Sequence, residues 1–188
     1  MNMNHGIDKK EVSMEWQDLL ADGYGRVLEF MESVFKGLTH DDLKWQPRND
    51  CNSIGWISWH LTRQQDAQIA SLMGEEQLWT KDQWYSRFSR APDPDDNGFG
   101  HTPEQVSTFE PPDIQTLLNY QRAVLARSKC YFYTLSKTDL ARELDEPWFQ
   151  PLPTVGVRLV SILEDSLLHA GQAAYVRGLR QGKGWQKY

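Results

Sequence analysis

Four stretches of the chain repeat apolar residues at the three- and four-residue spacing of an amphipathic helix. The first runs through Trp16, Leu19, Leu20, Tyr24, Val27, Leu28, Met31, Phe35 and Leu38. Ser13 is its expected N-cap, and Gly37 is placed to close it. The second runs through Ile54, Ile57, Leu61, Ile69 and Leu72, with Asn52 or Ser53 as cap and Gly74 as stop. The third follows Asp113 as cap, through Ile114, Leu117, Leu118, Val124, Leu125, Tyr131, Phe132 and Leu135. The fourth starts from Thr154 and places Val155, Leu159, Ile162, Ser166, His169, Ala173 and Val176 on one stripe. No stretch of strand length alternates apolar with polar residues. Four long helices, each with one face to bury, predict an all-α fold: a four-helix bundle of the up-and-down type.

The connections carry their own signals. Thr39 to Asn52, with Pro47, reads as a linking segment that tucks Leu43 and Trp45 inward. Trp79 to Pro112, between the second and third long helices, is irregular and rich in Pro, Asp and Gly. A loop that long inside a compact domain points to function or to short helices of its own. Thr102-Pro103-Glu104-Gln105 fits a capping box with proline at the first helical position. The segment is expected to be either a lid or pocket wall, or a surface excursion pinned by its aromatic residues. Pro147, Pro151 and Pro153 exclude a long helix over 139–153. Residues 1–12 read as a flexible lead and 13–188 as a single domain, which 188 residues are enough to supply with a full core.

Composition narrows the function. The net charge of -6 argues against nucleic acid and against anionic membrane surfaces as partners. The 8 Trp need places in a core or a pocket wall. No segment approaches the ~20 apolar residues of a membrane span, and the N-terminus has no signal-peptide run. A cytoplasmic protein with Cys51 and Cys130 reduced is expected.

The candidate chemistry lies in the fourth helix. Asp165 and His169 are spaced i, i+4, so their side chains share one face about a turn apart. An aspartate beside an apolar stripe is costly when charged. A metal would resolve that cost, and so would an arginine such as Arg158 or Arg63. His60, in the second long helix, is the third candidate donor, since His5, His40 and His101 fall in a terminus, a connection and the irregular segment. Bundles build metal sites from facing helices. Three donors with an open position are the pattern of a catalytic zinc. The competing reading is a core histidine satisfied by a carboxylate. No His-Glu-x-x-His, phosphate loop or serine elbow is present.

Three stretches resemble the DinB-like superfamily of metal-binding four-helix bundles. They are Gly37-Leu38-Thr39 with Leu43, Trp45 and Pro47; Asn52-Ser53-Ile54-Gly55-Trp56-Ile57-Ser58-Trp59-His60-Leu61; and Leu168-His169-Ala170-Gly171-Gln172-Ala173-Ala174-Tyr175-Val176-Arg177-Gly178. The resemblance implies a metal-binding histidine at His60 and a metal triad of His60, Asp165 and His169. Many members have histidine where this chain has Asp165. The mycothiol-dependent maleylpyruvate isomerase branch has a glutamate there, followed four residues later by histidine. The resemblance further implies a divalent metal, zinc or nickel, and a low-molecular-weight thiol activated for S-transfer or isomerisation of a small electrophile. Its alternative is a non-catalytic, stress-associated bundle acting through dimerisation or partner binding. A small-molecule substrate and a homodimer are expected.

Around the triad, Trp56 and Trp59 read as packing, with a pocket wall as the alternative for Trp56. Gln172, one turn beyond His169, reads equally as a group that orients a ligand or water and as a bundle-edge residue. Arg177 reads as the partner of an acidic neighbour, with bidentate binding of a substrate carboxylate as the alternative. Cys51, just ahead of the second helix, reads as incidental.

Overall fold

The computed structural model describes residues 13–186, so the expected lead at 1–12 lies outside the described residues. The helices are α1 (Trp16–Phe35), α2 (His40–Lys44), α3 (Ile54–Met73), α4 (Leu78–Lys81), α5 (Trp84–Arg87), α6 (Pro103–Ser107), α7 (Ile114–Thr134), α8 (Lys137–Leu140) and α9 (Val155–Gln181). A 3-10 turn at Lys183–Trp185 follows. The four long amphipathic stretches are α1, α3, α7 and α9, and the all-α expectation holds.

Most helix ends follow their capping chemistry. Ser53 Oγ accepts from Trp56 N–H at 3.3 Å, Asp113 Oδ1 from Thr116 N–H at 2.9 Å, and Thr154 Oγ1 from Val157 N–H at 3.3 Å. Gly74, at φ 66°, ends α3 in the left-handed region open to glycine. Two expectations for α1 need correction. Its N-cap is Glu15 rather than Ser13, because the Asp18 carboxylate accepts the Glu15 N–H at 3.0 Å and fixes the first turn there. Leu19 is 59% exposed, because it lies about 140° around the helix from Tyr24. The Thr39–Asn52 link also holds a helical turn, α2, capped by Thr39 Oγ1 accepting from Asp42 N–H at 3.2 Å.

Contacts between named residues give the direction of each long helix. Tyr24 donates to the Leu159 carbonyl at 2.7 Å, and Arg177 donates to the Val34 carbonyl at 2.7 Å, so α1 and α9 run parallel. Tyr133 reaches Asp18 and Arg122 reaches Glu32, so α1 and α7 are antiparallel. Arg63 meets Tyr120 and Tyr131 meets Leu72, making α3 and α7 parallel. The order is therefore up, down, down, up. α1 and α3 each pack between α7 and α9. This corrects the up-and-down expectation while keeping the four-helix bundle: α3 and α7 run parallel, and a parallel pair cannot be joined by a short turn.

The irregular segment is the required crossover, and it climbs antiparallel along α3. Leu78 and Trp79 donate their N–H groups to Asp66 at 3.0 and 2.8 Å. Arg63 Nη2 donates to the Pro94 carbonyl at 2.9 Å and its Nε to the Asp96 carbonyl at 3.1 Å. Pro111 then packs where Gly55 has no side chain; a Cβ there would lie 2.6 Å from the Pro111 Cβ. Arg63 and Asp66 are fully buried and 3.7 Å apart. Tyr120 donates to Asp66 at 2.8 Å, so the carboxylate is saturated by three neutral donors besides the guanidiniums of Arg63 and Arg127. Burial and the adjacent Asp66 push the Tyr120 hydroxyl well above its usual pKa.

The crossover also houses much of the tryptophan. Trp59, Trp79, Trp84, Phe88 and Tyr120 form one aromatic cluster, with the Arg63 guanidinium 4.5 Å over Trp79. Each such side chain, fully buried, contributes about 1.5–3 kcal/mol from apolar area alone. A second core region, with Tyr24, Ile69, Phe132 and Leu159, fills the opposite end, and Leu28 and Leu163 touch both. No helix among the described residues is long and apolar enough to cross a membrane.

Arg177 is not the partner of an acidic neighbour. It is buried and donates to the carbonyls of Ser33, Val34 and Lys36 at 2.7–2.8 Å. Those carbonyls lie at the end of α1, where helical partners run out, although Ser33 also accepts the Lys36 N–H at 3.3 Å; Arg177 thus caps one helix from another.

Candidate functional site

His60 sits in the second turn of α3, 6% exposed, on the side that packs against α9. Its Nδ1 lies 2.5 Å from the Asn97 carbonyl oxygen. A carbonyl only accepts, so Nδ1 carries the proton and Nε2 keeps a free lone pair. Trp56, one turn earlier, stacks on the imidazole at 4.7 Å and 17°. Burial pushes the His60 pKa below the usual histidine value, and His169 adds to that shift, against the Asn97 carbonyl and Asp165. His60 is thus held neutral, with one nitrogen available as a donor.

The His169 ring lies across the α3–α9 interface, its centroid 4.7 Å from that of His60. Its Nδ1 lies 3.1 Å from Gln172 Oε1, one turn on. With that oxygen accepting, Nε2 of His169 is again the unprotonated nitrogen. It faces Asp165 Oδ1 at 3.6 Å, outside hydrogen-bond range. Asp165 Oδ2 is buried and has no hydrogen-bond partner among the described residues. The sequence pattern therefore brings His60, Asp165 and His169 to one place.

The arginine alternative for Asp165 is not what the contacts show. Arg63 is committed to Gln77, Pro94, Asp96 and Asp66. Arg158 pairs with Glu146 and donates to Gln68. Two imidazoles and a carboxylate with an unpartnered buried oxygen fit a divalent cation in donor chemistry. Among the described residues, no group of three His, Cys, Asp and Glu side chains is drawn together at metal-holding distances. His60, Asp165 and His169 are neighbours without forming such a group.

A second ring of residues comes from the crossover. Asp96 accepts from Arg90 at 2.7 Å and lies 3.2 Å from His101 Nε2. The Trp56 indole N–H donates to His101 Nδ1 at 3.2 Å. Gly98, at φ 90°, lies so close that a Cβ would fall 2.7 Å from His60 Nδ1 and 2.9 Å from Trp56 Cζ2. Trp56 is both packing and site wall, and the crossover covers His60 while Phe99 beside it stays 85% exposed. Sequence reasoning missed Asp96, Asn97, Gly98 and His101. Asn97-Gly98 is a turn dipeptide that signals a left-handed glycine, but nothing local to it says which helix it approaches.

Gln172 also lines a cavity of about 580 Å³ with Ile57, Tyr175, Val176, Leu179 and the partly exposed Cys51; His60, Asp165 and His169 are not among its lining residues. Ile57 is one turn before His60 and Gln172 one turn after His169. Cavity and donor triad therefore lie side by side along the α3–α9 seam.

The fold and site define a class: a helical bundle in which two histidines and an aspartate from facing helices lie side by side. The sequence profile of the DinB superfamily matches residues 25–173. The chain belongs to that superfamily. Among solved structures, the conserved protein of locus from Enterococcus faecalis is 30% identical; the match covers 91% of this chain and 100% of that one, with a TM-score of 0.83. No protein of curated function matches.

Proposed function

We propose that the protein is a divalent-metal-dependent enzyme using a low-molecular-weight thiol, an S-transferase or isomerase acting on a small electrophile, with His60, Asp165 and His169 as metal donors. The observation that carries this reading is the buried, unpartnered Asp165 Oδ2 beside two imidazoles whose Nε2 lone pairs are free. Bound there, zinc or nickel would supply Lewis acidity that favours thiolate at neutral pH. His60 and His169 are each oriented by a hydrogen bond at Nδ1, the arrangement that fixes a ligating imidazole. Asp165 supplies negative charge, which lowers the cost of holding a cation against α3. The cavity beyond Gln172 gives a small organic substrate room next to the donors.

Metal analysis of untagged protein, with turnover assays over a panel of thiols and model electrophiles, tests the reading. Near-stoichiometric zinc or nickel that is lost in His60→Ala and His169→Ala supports it. Metal-free wild type after metal-replete purification overturns it.

A second reading, a bundle that acts by self-association, draws on a different observation. Val157, Val160, Leu167, Leu168, Tyr175 and Leu179 are each 50–70% exposed along the outer face of α9. A two-fold axis would bring such a stripe against its own copy and bury it. Sedimentation of wild type against Leu168→Glu separates a dimer from a monomer.

A further inference from the structure

We infer that His101 and Gly98 are positioning residues for His60, acting through a latch that the crossover closes over its imidazole. The consequence for metal binding rests on the proposed function; the effect on the His60 ring does not. Two surfaces of that ring are held by one segment of chain. The edge is held by the Asn97 carbonyl at Nδ1. The face is held by Trp56, stacked at 4.7 Å, and Trp56 is itself held by its N–H bond to His101.

The chemistry of each link sets the next. Asp96 is anchored by Arg90 on its carboxylate and by Arg63 on its carbonyl. Its Oδ1 accepts from His101, which places the His101 proton on Nε2 and leaves Nδ1 as an acceptor. An indole N–H can only donate, so Trp56 bonds this tautomer and not the other. The ring of Trp56 then lies flat on His60, and the Asn97 carbonyl, next in sequence to Asp96, completes the clamp.

Gly98 is where the latch tolerates no side chain. A Cβ there would lie 2.7 Å from His60 Nδ1 and 3.1 Å from Trp59 Cζ3 as well as 2.9 Å from Trp56. The positive φ of 90° adds backbone strain for any L side chain. A methyl group at this position must lift the Asn97 carbonyl from Nδ1 or turn the His60 ring. Either movement frees the imidazole to exchange its two tautomers.

The test uses full-length Gly98→Ala, His101→Phe and His101→Gln. The readouts are the nitrogen-15 shifts of the His60 ring in metal-stripped protein and zinc affinity by chelator competition. Wild type is expected to show one His60 tautomer, with the proton on Nδ1. Gly98→Ala and His101→Phe are expected to show mixed tautomers and zinc affinity about 10–100-fold weaker, the usual cost of losing an outer hydrogen bond at a metal ligand. His101→Gln keeps an amide oxygen for Trp56 and an N–H for Asp96, and is expected to restore the single tautomer and most of the affinity. Circular dichroism confirms that each variant is folded. A single Nδ1–H tautomer that persists in both disruptive variants overturns the inference, whatever zinc does. Mixed tautomers in a protein whose wild type takes up no zinc uphold the latch and defeat the metal reading alone.

Discussion

Asp165 and His169 face one another across one turn of α9 with Oδ1 and Nε2 3.6 Å apart. Both atoms carry lone pairs when His169 donates from Nδ1 to Gln172. That arrangement is repulsive by itself and favourable with a cation in reach. Asp165→Asn removes the charge but keeps the shape. It is expected to weaken zinc binding at least about 10-fold, whereas Asp165→His, which supplies a third imidazole, retains binding. Chelator competition on the two variants checks this, and equal affinity in Asp165→Asn and wild type would remove Asp165 from the donor set.

Arg63 is the cation of a fully buried pair. Arg63→Ala leaves the Asp66 carboxylate buried with a weaker complement and frees the Pro94 and Asp96 carbonyls. A loss of about 3–5 kcal/mol is expected, read as a lowered urea midpoint. A change under 1 kcal/mol would mean that Arg127, 3.6 Å from Asp66, carries the compensation alone.

Two glycines should respond to alanine with opposite sign. At Gly55 the new Cβ would meet Pro111 at 2.6 Å and the Leu43 carbonyl at 3.0 Å, so Gly55→Ala should cost about 1–3 kcal/mol. At Gly171, mid-helix in α9, nothing lies within 4 Å. Gly171→Ala should stabilise by about 0.5–1 kcal/mol. Thermal melts of the two single variants give both signs.

Asp42 gives the fold an acid-sensitive pin. The Thr39 N–H and the Arg180 guanidinium hold its carboxyl down to about 2, against an ordinary value near 3.8. The native state therefore binds that proton less readily than the unfolded chain. Its contribution is complete above about pH 4 and is lost as pH falls towards 2. Asp42→Asn should flatten the dependence of stability on pH between about 4 and 2. Urea melts at stepped pH show it, and an unchanged slope would assign the acid loss to other carboxylates.

Arg177→Leu keeps the packing of the side-chain stem but takes the guanidinium donors from the carbonyls at the end of α1, with Ser33 keeping its bond from the Lys36 N–H. Each buried acceptor so stranded costs about 1–3 kcal/mol. A lower melting temperature, with slowed exchange protection lost first at the C-terminal end of α1, is the expected result. Uniform loss of protection along all four long helices would contradict a local capping role.

The parts of the fold legible in the sequence are those that depend on neighbours in the chain. Ser53, Gly74, Thr102, Asp113 and Thr154 mark helix ends through bonds made within three or four residues. The apolar stripes likewise gave four long helices and the pair Asp165 and His169. What was not legible depends on the crossing of distant segments. Arg63 looked like a partner for Asp165, because no local pattern says that Pro94 and Asp96 will offer it carbonyls. Arg177 has its acceptors more than 140 positions away. His101 looked incidental in an irregular segment, since its meaning arises only when that segment lies along α3. The direction of α7 was hidden for the same reason.

The parallel run of α3 and α7 has a consequence for which changes in length the chain can accept. Twenty helical residues rise about 30 Å, a distance that about nine extended residues could cover. The segment between Gly74 and Asp113 is several times longer. Its surplus is the material from which the chain builds the roof over His60. Deletions that still let the segment reach α7 would uncover His60 and also strand the buried Arg63 and Asp66, which Leu78, Trp79, Pro94 and Asp96 satisfy. The segment that looks most expendable is thus one in which stability and the roof of the site are lost together.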